Sequence, residues 1–462
     1  MDTNIVDGLK KIVGGKNVCG TRGNNKKYLC DQTTPYLRPE ASKECVIVFP
    51  ENTFEVSEIM KLANENKVNV IARGGGGTGL CGAAIPTIPS IIISMEKFDK
   101  IIEIDEKNFT MTVESGVTLK EMITYLKKQG NQFCIAEYTC NENAQIGGMV
   151  AENAGGLKGW RRGTMRNNVR GLEVVLPTGE IEKLNGKIRK NNAGYDLMQL
   201  IIGSEGTLGI ITKVMLSVSH SMGYNGIILA SFHDYYGAVE ATTKVMQAGV
   251  HPNGIEYMDR SIVLETCKYL ECEWPLKKGK VDLLFIMEED DEEILFNSSE
   301  IIEEICRMTG CVECEILDGE SEYGKIINIR KETYNATKHL LVDTLDITVP
   351  PAYILDFMKE FSKIAERYGA KTNTVGHIGD GNLHNNIYSE RRKIPEFYEK
   401  MREEAYRLGL SYEGTITGEH GIGKIRRDEL KMQLDERQIC IMRGIKAVFD
   451  PNHILNIDNG IV

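Results

Sequence analysis

Hydrophobic positions along this chain switch repeatedly between the two-residue period of a half-buried strand and the roughly 3.6-residue period of an amphipathic helix. The pattern predicts a mixed α+β protein. Cys45-Val-Ile-Val-Phe reads as a short buried strand stopped by Pro50. Asn52 and Thr53 can cap the helix predicted over 54–66, whose apolar residues Val56, Ile59, Met60 and Ala63 fall on one face. Further strands are predicted at 68–72, 91–94, 101–104 and 110–114, and a helix near 118–129. Beyond about Ser219, strand and helix patterns alternate through two similar blocks, roughly 225–317 and 346–410. An acidic run from Glu288 to Glu293 lies between strand and helix in the first block and reads as a solvated turn. The C-terminal stretch is again helical and is closed by Pro451.

Composition narrows the class. A chain of 462 residues exceeds one ordinary domain, and 42% hydrophobic with 26% charged residues is the balance of a soluble globular protein. A net charge of −11 argues against a dominant nucleic-acid or anionic-membrane role. There is no apolar run of the ~18 residues that a membrane span needs, and the N-terminus shows no apolar signal core. A cytoplasmic protein, not integral to a membrane, is expected. The twelve cysteines are scattered and read as buried, reduced thiols. Cys306, Cys311 and Cys314 have the spacing of plant-type iron–sulfur ligands, with Cys267 or Cys272 as a conceivable fourth. The helical spacing of 301–308 and the alternation of 312–316 favour ordinary packing instead.

Two stretches carry chemistry. The first is Arg73-Gly-Gly-Gly-Gly-Thr-Gly-Leu-Cys-Gly82. It satisfies G-x-G-x-x-G, yet Pro86, Pro89 and a strand follow where a Rossmann loop would open into a helix. Glycine N–H groups can still cradle a pyrophosphate, so a dinucleotide held in a non-Rossmann way is expected. The second is His377-Ile-Gly-Asp-Gly-Asn-Leu-His384. Asp380-Gly381 favours a two-residue hairpin turn, which would set Gly379 opposite Asn382, Ile378 opposite Leu383 and His377 opposite His384. Both imidazoles would then share one face with Asn386, close enough to bind one metal ion. Gly418-Glu419-His420-Gly421-Ile422-Gly423 can add a carboxylate ligand and a third imidazole.

Taken together, Arg73–Gly82, Gly147–Gly156, Gly194-Tyr-Asp-Leu197 and 203–212 resemble the FAD-binding domain of vanillyl-alcohol-oxidase-type flavoproteins. With His377–His384 and Gly418–Gly423 added, the chain is similar to the branch of D-lactate dehydrogenases, D-2-hydroxyglutarate dehydrogenases and the glycolate oxidase flavin subunit. The resemblance implies a two-part FAD-binding domain over 1–219 and an α+β substrate and metal cap over 220–425. A C-terminal helical segment, 426–462, is expected to return to the FAD domain. It places Arg73, Gly75, Gly76, Gly77, Thr78, Gly79 and Gly82 on the FAD pyrophosphate. Gly147, Gly148, Asn153, Gly206 and Ile211 would lie along the flavin and adenosine. FAD is expected to bind non-covalently, since no histidine precedes His220.

Resemblance and hairpin together point to His377, His384 and Glu419 as ligands of one divalent ion: zinc, manganese or iron. Such an ion can hold a 2-hydroxy acid by its hydroxyl and carboxylate and acidify the hydroxyl. His420 is the expected general base, Asn386 a substrate or metal contact, and Arg330 the resemblance's carboxylate-binding arginine. Dicarboxylate-using relatives carry a lysine where Thr344 and Leu345 stand here, which favours a small monocarboxylate such as lactate or glycolate. Reduced flavin would pass electrons to a partner, electron-transferring flavoprotein or an iron–sulfur subunit. A 2-hydroxyglutarate dehydrogenase, a non-catalytic flavin electron-transfer subunit and an alkyl-transferring synthase of the same fold are the rival readings.

Overall fold

In a computed structural model, which describes residues 1–130, 132–390 and 393–460, the N-terminal apolar runs build two sheets. Val46–Val48, Ser90–Ser94 and Asn69–Arg73 run parallel, with Val18–Gly20 antiparallel at the edge. These parallel strands are buried almost throughout, as strands covered on both faces must be. The helix Thr53–Asn66 packs Val56, Ile59, Met60 and Ala63 against them. Its start is fixed by Asn52, whose side chain accepts the Glu55 N–H at 3.0 Å. The second sheet is antiparallel, in the order Ile101–Asp105, Thr110–Glu114, Ile210–Ser217, Val169–Val175, Ile181–Asn185. The helix Leu119–Lys128 packs beside it, its start held by the reciprocal Thr118–Glu121 capping box. Each element predicted up to residue 129 forms, within one residue at each end.

The two alternating blocks pool their strands into one seven-stranded antiparallel sheet. Its order is Glu313–Asp318, Tyr224–Phe232, Val281–Glu289, Gly254–Asp259, Lys371–His377, Asn382–Tyr388, Leu341–Thr348. The blocks join where Glu256 faces His377 across the ladder. Strand alternation gives the sheet two characters. Ile255, Tyr257, Leu345, Ile347, Leu383 and Ile387 enter a core covered by the helices Tyr235–Gln247, Ile354–Tyr368 and Tyr398–Ser411. The opposite face packs Leu229, Met258, Leu284 and Val375 under the helices Arg260–Tyr269 and Glu320–Lys331, and then turns polar.

The acidic run is more than a solvated turn. Asp291 caps the helix Glu292–Met308, but Glu288 and Glu289 end a strand and reach back to the N-terminal part. Glu288 pairs with Lys158 at 2.6 Å and Glu289 with Arg161 at 3.4 Å. Beside them Glu137 bridges Lys158 (2.7 Å) and Lys331 (3.0 Å). Burial would raise the Glu137 carboxyl, but the two ammonium groups outweigh it and hold it down at about 2. A carboxylate with a depressed folded value stabilises the protein above its unfolded value of about 4.5 and loses that contribution as pH falls towards 2. We therefore expect Glu137→Gln to cost roughly 1–3 kcal/mol at neutral pH, since Lys158 and Lys331 each keep one carboxylate. The gap in thermal midpoint should narrow between pH 4.5 and 2; a gap constant across that range would refute the pairing.

The cysteines settle the spacing question geometrically. Cys306, Cys311 and Cys314 pack with the helix-covered core, whereas Cys267 and Cys272 belong to the opposite face. The sheet stands between the trio and either suggested fourth ligand.

The helix Glu436–Phe449 returns to the N-terminal part, as expected. Ile445 and Phe449 pack on its second core, and Ile454 and Leu455 enter its first. The buried Lys446 ammonium locks this return by donating to the carbonyls of Thr207 and Leu455 (2.7 Å each) and to Asp450 (2.6 Å).

Candidate active site

The His377–His384 hairpin forms in a register two residues from the expected one. His377 lies opposite Asn382, and His384 opposite Val375. A single 3-10 turn, Ile378–Asp380, lengthens the connection, and Gly381 closes it at φ 75°. A Cβ at Gly381 would collide with the Val349 carbonyl of the neighbouring strand's end, so close approach and left-handed backbone both require glycine. Because side chains alternate, a slip of two preserves the face: His377, His384 and Asn386 still point the same way. The two imidazole centroids are 5.3 Å apart.

The loop after Thr417 brings Glu419 and His420 to this face. Glu419 Oε1 lies 3.3 Å from His377 Nε2 and 3.2 Å from His384 Nε2. His420 stacks on His384, centroids 4.8 Å apart and planes within 10°. Two ligand atoms each about 2.0–2.1 Å from a tetrahedral zinc are separated by roughly 3.3–3.4 Å, close to the two distances from Glu419 Oε1 to the imidazoles, so the chemistry and spacing of this donor set suit a divalent ion. Burial would lower His377, but Glu256 and then Glu419 outweigh it and hold the imidazole well above its ordinary value. Burial would raise Glu419, but His377 holds it well below the carboxylate range. His420 differs: burial dominates and lowers it, leaving a neutral imidazole able to accept a proton.

Two residues missed in the sequence back the histidines. Glu256 Oε1 lies 2.6 Å from His377 Nδ1, and Asp346 Oδ1 lies 3.3 Å from His384 Nδ1. Glu256 was legible as an acid inside the apolar strand Gly254–Asp259; Asp346 likewise interrupts Leu341–Thr348. Arg330 reaches the site, but its Nε and Nη2 grip Glu256 Oε2 at 2.8 and 2.7 Å. Asn386 is held between Thr344, whose hydroxyl donates to Oδ1, and Asn373.

His377, His384, Asn386, Glu419, His420 and Arg330 line one cavity with the glycine loops. Gly76, Gly77, Thr78, Gly79, Gly147, Gly148, Gly206 and Ile211 form its other wall. The loop after Asn69–Arg73 leads to the strand Ser90–Ser94 and not to a helix, as expected for a non-Rossmann cradle. Side chains would push this wall apart: a Cβ on Gly76 would sit 2.9 Å from the Asn143 carbonyl, and one on Gly147 2.7 Å from Ser115. The groove fits a long flat cofactor. Three expected contacts act from behind the wall. Gly75 is turned against Glu96, with its N–H donating to Gln145 Oε1 at 2.6 Å. Gly82 packs near Pro39 and Ile425. Asn153 ends the helix Ile146–Glu152 in left-handed conformation, its side chain accepting from Thr164 and Arg166. Arg73 reaches the cavity, yet its guanidinium donates inward to the carbonyls of Gly74, Gly75, Lys27 and Cys30, so it shapes the loop.

Known proteins resemble this chain in sequence and in fold. Residues 45–185 match the FAD binding domain family, and residues 224–458 match the C-terminal domain of FAD linked oxidases. The chain is 35% identical to D-lactate dehydrogenase of Archaeoglobus fulgidus, over 93% of this chain and 94% of that one. It is 32% identical to glycolate oxidase subunit GlcD of Bacillus subtilis, over 98% and 95%. The structure of 4-ethylphenol oxidase from Gulosibacter chungangensis superposes with a TM-score of 0.76 over 99% of this chain and 97% of that one, at 14% identity, which shows a shared fold. An FAD-binding domain followed by an FAD-linked-oxidase C-terminal domain, with relatives alike over nearly the whole chain, place the protein in the FAD-linked oxidase family.

Proposed function

We propose that the chain oxidises a small 2-hydroxy acid, lactate above all, to the 2-oxo acid, using non-covalent FAD and one divalent ion (zinc, manganese or iron). The observation that carries this is the meeting of His377 Nε2, His384 Nε2 and Glu419 Oε1 on the wall of the glycine-lined cavity, with Arg330 and His420 beside them. In this reading 1–219 holds FAD, 220–425 forms the cap and 426–462 braces the two.

When bound, the metal supplies a Lewis acid for the substrate's hydroxyl and carboxylate, and FAD supplies the two-electron acceptor. The chain supplies the rest. His420, neutral through burial, takes the hydroxyl proton. Arg330 faces the substrate carboxylate with the part of its guanidinium that Glu256 leaves over, and Glu256 fixes its plane. Asn386, held by Thr344 and Asn373, can donate or accept at the substrate without turning. Ile262 and Val375 give the cavity an apolar wall that excludes water from the reacting carbon.

Substrate size follows from the cations. Thr344 stands on the wall where a lysine would serve a second carboxylate, while Leu345 points into the core. Lys331 also reaches the wall, but Glu137 (3.0 Å) and Glu142 (3.1 Å) neutralise it. Relatives named D-lactate dehydrogenase and glycolate oxidase support the same class. Anaerobic bleaching of the flavin by a panel of D- and L-2-hydroxy acids tests the reading, before and after chelation. Lactate or glycolate should bleach at least about tenfold more efficiently than 2-hydroxyglutarate, since an unpaired second carboxylate costs 1.4 kcal/mol or more. The reverse order overturns the monocarboxylate, no bleaching overturns the function, and bleaching indifferent to metal removal overturns the metal.

The electrons then pass to a partner protein, electron-transferring flavoprotein or an iron–sulfur subunit. The split of the cysteines between two faces of the sheet supports an external relay. Free thiols at all twelve cysteines suit a reducing, cytoplasmic setting. Rapid NAD reduction by the lone chain would contradict the partner.

A further inference from the structure

We propose that Glu256 and Asp346 are positioning residues that decide which ring nitrogen of His377 and His384 is offered to the ion. The inference rests on the metal reading above and deepens it. Each histidine has a carboxylate as its directly opposite cross-strand neighbour: Glu256 opposite His377, and Asp346 opposite His384. Both carboxylate residues are 0% exposed. Glu256 is anchored by one oxygen and meets His377 with the other, whereas Asp346 is anchored at both, its Oδ1 accepting from Asn382 at 2.8 Å as it approaches His384.

The anchors are rigid. Glu256 Oε2 accepts from Arg330 Nε at 2.8 Å and lies 2.7 Å from Nη2. Asp346 Oδ2 accepts the backbone N–H groups of Gly418, Glu419 and His420 and the Thr417 hydroxyl, each at 2.8 Å. That leaves Glu256 Oε1 2.6 Å from His377 Nδ1 and Asp346 Oδ1 3.3 Å from His384 Nδ1. An ionised carboxylate only accepts hydrogen bonds, so His377 Nδ1 must carry the hydrogen; His384 Nδ1 makes no hydrogen bond among the described residues and lies beside Asp346 as an ion-pair contact that sets the same orientation. Nε2 is then the ring nitrogen turned to Glu419, and the one that would give up its hydrogen to an ion held there. Asp346 also ties the backbone of Glu419 and His420 to the strand beside His384, so one side chain aligns two of the three ligands.

An amide in either place keeps the shape and reverses the instruction. Its oxygen stays with the anchoring donors, and its NH₂ turns to Nδ1. The histidine can answer only by accepting there and carrying its hydrogen on Nε2, which removes the lone pair the metal needs. At position 346 the Asn382 amide can turn over to suit, because its Oδ1 has no partner among the described residues.

The experiment uses full-length, FAD-loaded wild type, Glu256→Gln and Asp346→Asn. Each is stripped with a chelator and titrated with Zn²⁺ against a competing indicator, with bound metal counted by elemental analysis. Wild type should take one equivalent, and each variant should bind about 10–100-fold more weakly with FAD content and circular dichroism unchanged. Variants that bind Zn²⁺ as tightly as wild type overturn the proposal alone. A wild type that binds no metal overturns the metal reading and this proposal with it. Should Asp346→Asn fail to fold, because its carboxylate also holds the 417–420 loop, Glu256→Gln carries the test by itself.

Discussion

Replacing His384 by alanine is expected to give a folded, yellow, FAD-loaded protein whose flavin is reduced by lactate about a thousandfold more slowly. The magnitude comes from the Lewis acid: metal polarisation supplies several kcal/mol of transition-state stabilisation, and each 1.36 kcal/mol is tenfold in rate. The fold should survive. His384 lies on a cavity wall, so its removal enlarges an existing space and opens no void in the core. Asp346 keeps its three backbone donors and the Thr417 hydroxyl, so its charge stays solvated. Anaerobic stopped-flow measurement of flavin bleaching reads the rate, and elemental analysis should show the metal gone. Wild-type bleaching by a metal-free variant would end the chelate mechanism.

His420→Asn should do something different. The variant keeps FAD and metal, but kcat should fall about 10²–10⁴-fold, the range for a removed general base, with KM little changed. The pH profile separates the two cases. Burial lowers His420, so in wild type the loss of rate through its protonation lies below the ordinary imidazole value of about 6.5, and a nearby cation pushes it the same way. The variant should lack that acid limb. A variant that retains it, or that loses metal in parallel with activity, would show His420 to be a structural neighbour of Glu419.

The hairpin shows how local and distant information divide. Asp380-Gly381 correctly marked a turn, and its glycine adopts the left-handed backbone such turns use. The two-residue turn was wrong because a third strand end, at Val349, presses against Gly381 and Ile378–Asp380 takes up a 3-10 turn. The site survived the error since alternation repeats every two residues. A slip of one would have sent His384 into the apolar core in place of Leu383. The glycine loops behaved likewise. Their composition announced a cradle, while Gly75, Gly82 and Asn153 turned out to support it from outside. Arg73, too, shapes the loop with its guanidinium. Local motif reading identifies a loop but cannot tell its lining from its struts.

Glu256 and Asp346 mark the harder limit. Glu256 is 121 residues from His377, and Arg330 is 74 from Glu256. An acid within an apolar strand was the available signal, yet nothing local says which base it meets. The Glu288 pairings that tie the seven-stranded sheet to the glycine-rich part were hidden for the same reason.

The sequence by itself determined the elements, the cradle and the face shared by His377, His384 and Asn386. Those depend on dihedral preferences, capping and side-chain alternation, which act over a few residues. Only the tertiary structure decided the ladder register, the partners of Arg330 and the carboxylates behind each imidazole. Those are set by which strands lie side by side, and a burial-driven sheet joins strands whatever their distance along the chain.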